Sequence, residues 1–116
     1  MLFRSYSCVQ PSPLLIETLV AAGVDGLVFA GTGAGLISCF EHEALARAIA
    51  ARGGAPPVLV RSSRTGCGSV PATAEYDALA MIPAGSLNPQ KARVLLLLAL
   101  ARGLEPGEVR RVFAEY

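Results

Sequence analysis

The sequence predicts an α/β domain in which a small parallel sheet of about four strands is flanked by helices in three layers. Three observations predict it. Residues 26–30 (Gly-Leu-Val-Phe-Ala) and 58–60 (Val-Leu-Val) are short apolar runs without polar alternation, as in strands covered on both faces. Stretches with helical spacing lie between the strand-like runs. Glycine and proline mark the joints between them.

In order, residues 2–8 alternate apolar and polar as a strand does, and Pro11 and Pro13 end the run. A helix follows over 14–22, with Leu15, Leu19 and Ala22 on one stripe and Ile16 and Val20 alongside. Ser12 suits its N-cap, Pro13 its first position, and Gly23 its stop. The second strand, 26–30, leads into the Gly31-Thr32-Gly33-Ala34-Gly35 turn. A helix over 39–52 comes next, with Ala44, Leu45, Ala48 and Ile49 facing inward and Glu41, Glu43 and Arg47 outward, and Gly53 and Gly54 end it. The third strand is 58–60, and the polar segment 61–77 reads as a long loop of the kind that often carries function. Residues 78–83 form a fourth strand, although alanine is a weak strand former. Asn88 caps and Pro89 opens a helix so apolar that burial on nearly every side is expected. A last helix over 106–116 sets Val109, Val112, Phe113 and Tyr116 on one face. This alternation is flavodoxin- or Rossmann-like. Residues 1–116 read as a single domain, with no repeat, low-complexity tract or internal linker.

Composition narrows the function. Apolar residues make up 53% of the chain and charged residues only 16%, against a usual charged share of about 25%. A small domain has much surface to cover with polar groups, so part of this surface is expected to meet another domain or subunit; the alternative is an ordinary Ala- and Leu-rich domain. A net charge of +1 with scattered basic residues excludes a nucleic-acid field. The apolar run 94–101 is far short of the roughly 20 residues that span a bilayer, so no membrane partner is expected. Met1 leads straight into strand-like sequence, without a signal peptide. The compartment stays open between cytoplasm and periplasm. Three separated cysteines and one histidine suggest neither a disulfide framework nor a zinc site, and no metal or cofactor is expected.

Ligands of such sheets collect at loops leaving the carboxyl ends of strands; here these are 9–12, 31–38, 61–77 and 83–87. The Gly31–Gly35 turn has Leu36 where a dinucleotide loop needs glycine and lacks the Gly-Lys-Ser/Thr of a P-loop, so it reads as a tight turn, with a phosphate cradle as the alternative. Arg61 and Arg64, with nearby hydroxyls, either grip an anion or belong to a solvated or interface loop. Glu75 and Asp77 offer paired carboxylates but no adjacent nucleophile, so surface charge or a helix start is the simpler reading. Thr65, Ser69 and Thr73 would each need a base, and the sole histidine, His42, lies on a distant helix. Cys67, beside Arg64 and two glycines, reads as a passive free thiol, with a lowered pKa as the alternative.

Four segments in order carry a resemblance: 26–35 (Gly-Leu-Val-Phe-Ala-Gly-Thr-Gly-Ala-Gly), 58–68 (Val-Leu-Val-Arg-Ser-Ser-Arg-Thr-Gly-Cys-Gly), Glu75-Tyr76-Asp77, and 84–98 through Leu-Asn-Pro-Gln-Lys-Ala-Arg, with Val112-Phe113-Ala114-Glu115-Tyr116 at the end. Together they resemble the C-terminal domain of bacterial-type L-asparaginases, and the Leu-Asn-Pro-Gln-Lys-Ala-Arg wording is closer to the secreted type. The resemblance implies an amidohydrolase, hydrolysing L-asparagine to L-aspartate and ammonia, built from two α/β domains. The catalytic threonines, lysine, aspartate and tyrosine of that family lie in its N-terminal domain, so no catalytic residue is expected in this chain. The implied roles here are dimerisation within a homo-oligomer and completion of a neighbouring subunit's site. The implied substrate-binding residue is Glu75, near the α-amino end of an amino-acid amide. The family's usual second Asn of the Gly-rich turn is absent, with Leu36 in its place. Two alternatives belong to other classes: a free-standing flavodoxin-like small-ligand or phosphate-binding module, and an amidotransferase subunit that releases ammonia.

Overall fold

The computed structural model describes residues 1–9 and 11–116. The 9–12 loop expected at the first strand end therefore falls partly outside the described residues. Four strands, β1 (Leu2–Tyr6), β2 (Gly26–Gly31), β3 (Val58–Ser63) and β4 (Ile82–Pro83), pair in parallel in the order β1-β2-β3-β4. Five helices accompany them: α1 (Pro13–Ala21), α2 (Cys39–Arg52), α3 (Ala74–Asp77), α4 (Pro89–Ala101) and α5 (Pro106–Glu115). The sheet order never reverses, so successive right-handed crossovers stack α1, α2 and α3 on one face, leaving the other to α4 and α5.

Strand alternation divides the core between the two faces. Leu27, Phe29 and Leu59 join Ile16, Val20, Leu45 and Tyr76 on one side. Val28 and Val60 join Ile82, Leu96, Val109 and Phe113 on the other. All of β2 is buried, as its unbroken apolar run requires. Asn88 caps α4, its Oδ1 accepting from the Lys91 N–H at 2.8 Å. Ser12 holds the N-cap position of α1 but its side chain makes no capping bond.

The inward stripe of α1 is Ile16, Leu19 and Val20, with Leu15 and Ala22 exposed, and four further expectations need correction. Strand β3 runs on to Ser63, because Arg61 and the two serines pair with Phe29, Ala30 and Gly31 of β2. Residues 78–81 are not strand: Leu79 and Ala80 donate back to the Tyr76 and Asp77 carbonyls in turns after α3, and Ala80 adopts φ +54°. Only Ile82 and Pro83 pair with β3. Helix α4 is not buried on nearly every side: Val94, Leu97 and Leu98 are exposed, because the sheet beneath it and α5 beside it cover one stripe only. Glu41 does not face outward. It is 2% exposed, closing a capping box with Ser38 and accepting from Ser7 Oγ at 2.8 Å, which ties the end of β1 to α2.

Candidate functional site

The carboxyl ends of β2 and β3 are knitted into one edge. The Gly31–Gly35 turn closes on itself, with Thr32 and Leu36 exchanging N–H···O bonds of 2.9 and 2.7 Å. Gly31 has to be glycine, because a Cβ would lie 2.5 Å from the Gly35 carbonyl carbon and 2.6 Å from the Leu36 oxygen. From β3, Ser63 Oγ donates to the Gly33 carbonyl and Ser62 Oγ to the Leu87 carbonyl, at 2.5 and 2.6 Å. These bonds fasten the turn and the segment before α4 to the central strand.

Arg61 is the centre of this edge. It is 1% exposed. Its Nη1 donates to the carbonyls of Ala34 and Gly35, at 2.9 and 3.2 Å, and its Nη2 to the carbonyl of Pro71 at 2.5 Å. The guanidinium carbon stands 4.1 Å from the centroid of the Tyr76 ring. Tyr76 in turn accepts at its hydroxyl from the Ile37 N–H, 3.4 Å away. Burial pulls the Arg61 pKa below its ordinary value, while Tyr76, Asp77 and Glu75 act to raise it.

Glu75 precedes Tyr76 on α3 and is exposed. It therefore stands at the surface of the edge, on a helix turn pinned from beneath by Tyr76. Leu36 is half exposed, within the turn that Arg61 and Tyr76 hold. The structure thus links Tyr76, the neighbour of Glu75, to the Gly-rich turn through Arg61 and Ile37. Arg61 and Arg64 do not form an anion clamp: Arg61 is spent on carbonyls, and Arg64 is exposed. Glu75 and Asp77 do not act as a pair either, because Asp77 turns to Arg110 of α5 at 3.3 Å. Thr65 Oγ1 lies 2.8 Å from Ser63 Oγ, and Cys67 is exposed in a small cleft lined by Ser63, Gly85, Ser86 and Asn88. His42 lies near Tyr76, the ring centroids 6.1 Å apart. Among the described residues, no hydrogen bond joins a histidine to a hydroxyl or thiol, the pairing that activates a nucleophile through an imidazole base.

Sequence reasoning missed Arg61, Tyr76, Glu41 and Ser7 as organisers of this edge. A signal existed for two of them. Arg61 continues the Leu59 face of β3 at period two, and Ser38-Ile37-preceded Glu41 completes a Ser-x-x-Glu capping pattern.

Comparison with known proteins identifies the family. Residues 3–113 match the family model of the Glutaminase/Asparaginase C-terminal domain. The chain is 41% identical over 113 residues to L-asparaginase 2 of Escherichia coli (strain K12), covering 96% of this chain and 31% of that protein. Against L-asparaginase 2 of Bacillus subtilis (strain 168) the identity is 39%, over 96% of this chain and 28% of that protein. Glutaminase-asparaginase of Pseudomonas fluorescens biotype A is 33% identical, over 97% of this chain and 31% of its own length. The chain thus spans about a third of the length of the relatives it matches. With the fold, the segment order and the match in agreement, the chain belongs to the glutaminase/asparaginase C-terminal domain family.

Proposed function

We propose that residues 1–116 act as the C-terminal domain of an L-asparaginase, whose complete form hydrolyses L-asparagine to L-aspartate and ammonia. One observation carries the reading: the family match runs over residues 3–113, and the relatives that share it are named asparaginases and glutaminase-asparaginases. Catalysis belongs to an N-terminal domain, and this domain supplies binding and assembly. Glu75 contacts the α-ammonium of the substrate in a neighbouring subunit's site; its exposure beside a fastened turn suits that task. The open stripe of Val94, Leu97 and Leu98 on α4 meets another domain or subunit, since contiguous apolar surface marks contact sites. Among the described residues no helix is long and apolar enough to cross a membrane, and one relative, from Haemophilus influenzae, is named a probable periplasmic L-asparaginase. A periplasmic or cytoplasmic setting suits this chain equally.

The test is Glu75→Gln in the polypeptide that joins this domain to its N-terminal partner. A charge-assisted hydrogen bond to an ammonium contributes about 1.5–3 kcal/mol. Losing it lowers kcat/KM for asparagine roughly ten- to a hundredfold, at about 1.4 kcal/mol per tenfold. Circular dichroism confirms folding. An unchanged kcat/KM removes Glu75 from the substrate site.

A further inference from the structure

We propose that Arg61 is a positioning residue of the substrate-binding edge: one guanidinium binds the Gly-rich turn, the loop reaching Pro71 and the Tyr76 ring into a single body, and so fixes where Glu75 stands. This rests on the reading of Glu75 given above.

Ser63 holds the turn to β3 and Val70 pairs with Gly85, but the Arg61 side chain is the group that touches the turn, the loop at Pro71 and Tyr76 together. The turn after β2 and the β3–β4 connection, which carries the 64–73 loop into α3, are separate excursions of the chain, and α3 is a single turn of four residues. A short helix of this kind has no stability of its own. Its one buried residue is Tyr76. That ring is covered by the Arg61 guanidinium at 4.1 Å, and its hydroxyl accepts from Ile37 N–H just beyond the turn. Arg61 meanwhile takes the Ala34, Gly35 and Pro71 carbonyls. Tyr76 is thus the anchor of α3, held by the Arg61 stack, by Ile37 and by the core cluster it shares with Met81, whose N–H returns to the Tyr76 carbonyl. The pairing of Asp77 with Arg110 is exposed and screened by solvent.

Only arginine meets these demands together. Its planar fork presents separate donors to carbonyls on two sides while its face lies on a ring. Lysine keeps the charge but offers a point donor, and cannot stack and reach both loops at once. Arg61 Nε is buried without a partner among the described residues. The group is therefore held by its two terminal nitrogens and its stacking, not by complete hydrogen bonding. A buried cation committed to carbonyls is unavailable to an anionic ligand, which separates this role from that of the exposed Arg64.

Two measurements test it. Amide exchange is followed on the 116-residue chain as wild type, Arg61→Lys and Arg61→Met. Both variants are expected to speed exchange at Leu36, Ile37 and Tyr76, whose N–H groups are hydrogen-bonded, together by about tenfold or more, and to leave α4 and β1 within about twofold. Equal acceleration everywhere, or none, overturns the proposal. A double-mutant cycle then joins Arg61→Lys to Glu75→Gln in the two-domain polypeptide. Positioning makes the pair non-additive: the double variant has the kcat/KM of Glu75→Gln alone, and Arg61→Lys acts on KM as Glu75→Gln does. Additive losses overturn positioning while leaving Glu75 in the site. A silent Glu75→Gln overturns the reading of Glu75 itself, and the exchange data then show whether the clamp survives without that role.

Discussion

Replacing Gly31 by alanine should open the turn on which the edge is built. The new methyl would sit 2.5 Å from the Gly35 carbonyl carbon, 2.6 Å from the Leu36 oxygen and 2.7 Å from the Gly35 oxygen. All three are backbone atoms, so no rotamer change relieves the overlap. Opening the turn costs the paired Thr32–Leu36 bonds, each contributing about 0.5–1.5 kcal/mol. It also weakens the two bonds from Arg61 to the Ala34 and Gly35 carbonyls, each contributing about 1.5–3 kcal/mol because the donor is charged. These contributions are not additive, and a net loss of about 3–5 kcal/mol is expected. The control is Gly33→Ala. Gly33, unlike Gly31, has a positive φ, +50°, but nothing lies within 4 Å of its Cβ position. That change costs only the left-handed strain of about 1–2 kcal/mol. Urea unfolding followed by circular dichroism separates the two. With a slope of about 1–2 kcal/mol per molar, Gly31→Ala moves the midpoint down by roughly 2 M or more. A Gly31→Ala midpoint matching that of Gly33→Ala would refute the steric reasoning.

Leu96 is fully buried between α4 and the sheet, so Leu96→Ala should destabilise by about 2–5 kcal/mol in the same assay. Ser7→Ala deprives the buried Glu41 carboxylate of one of its donors, at a cost of about 1–3 kcal/mol, read as an unfolding shift. Light scattering should find the chain dimeric or larger at micromolar concentration, and a monodisperse monomer up to millimolar concentration would count against a covered apolar face. Leu98→Asp tests the stripe itself: Leu98 is 57% exposed, so stability should stay within about 0.5 kcal/mol while association falls.

The parts of this fold that were legible in the sequence are those where local chemistry and tertiary packing agree. The fully buried β2 and the capped start of α4 at Asn88 and Pro89 followed from apolar runs and capping, and the bounds of α2 from helical periodicity and its glycine stop. The failures fall where tertiary partners override composition. Arg61-Ser62-Ser63 reads as loop because it is polar, yet neighbouring strands and turns satisfy every one of those side chains in part. Residues 78–81 are apolar enough for a strand, but α3 precedes them and its turns continue until Ala80 bends away. Helix α4 was expected to be buried because of its leucines, and a sequence does not say which neighbours are present to bury them. Glu75 was reachable only through family resemblance. Its residue type and spacing alone do not distinguish it from surface charge, and its surroundings depend on Arg61 and Tyr76, both far from it in apparent chemistry.

The central claim is that this domain completes an asparaginase without being one. Ammonia release from L-asparagine measures it most directly, with the purified 116-residue chain assayed alone and joined to an N-terminal asparaginase domain. Release at the buffer blank is expected for the chain alone and sustained release for the joined protein, reduced by Glu75→Gln. Ammonia release above the blank by the chain alone, free of contaminating enzyme, would contradict it.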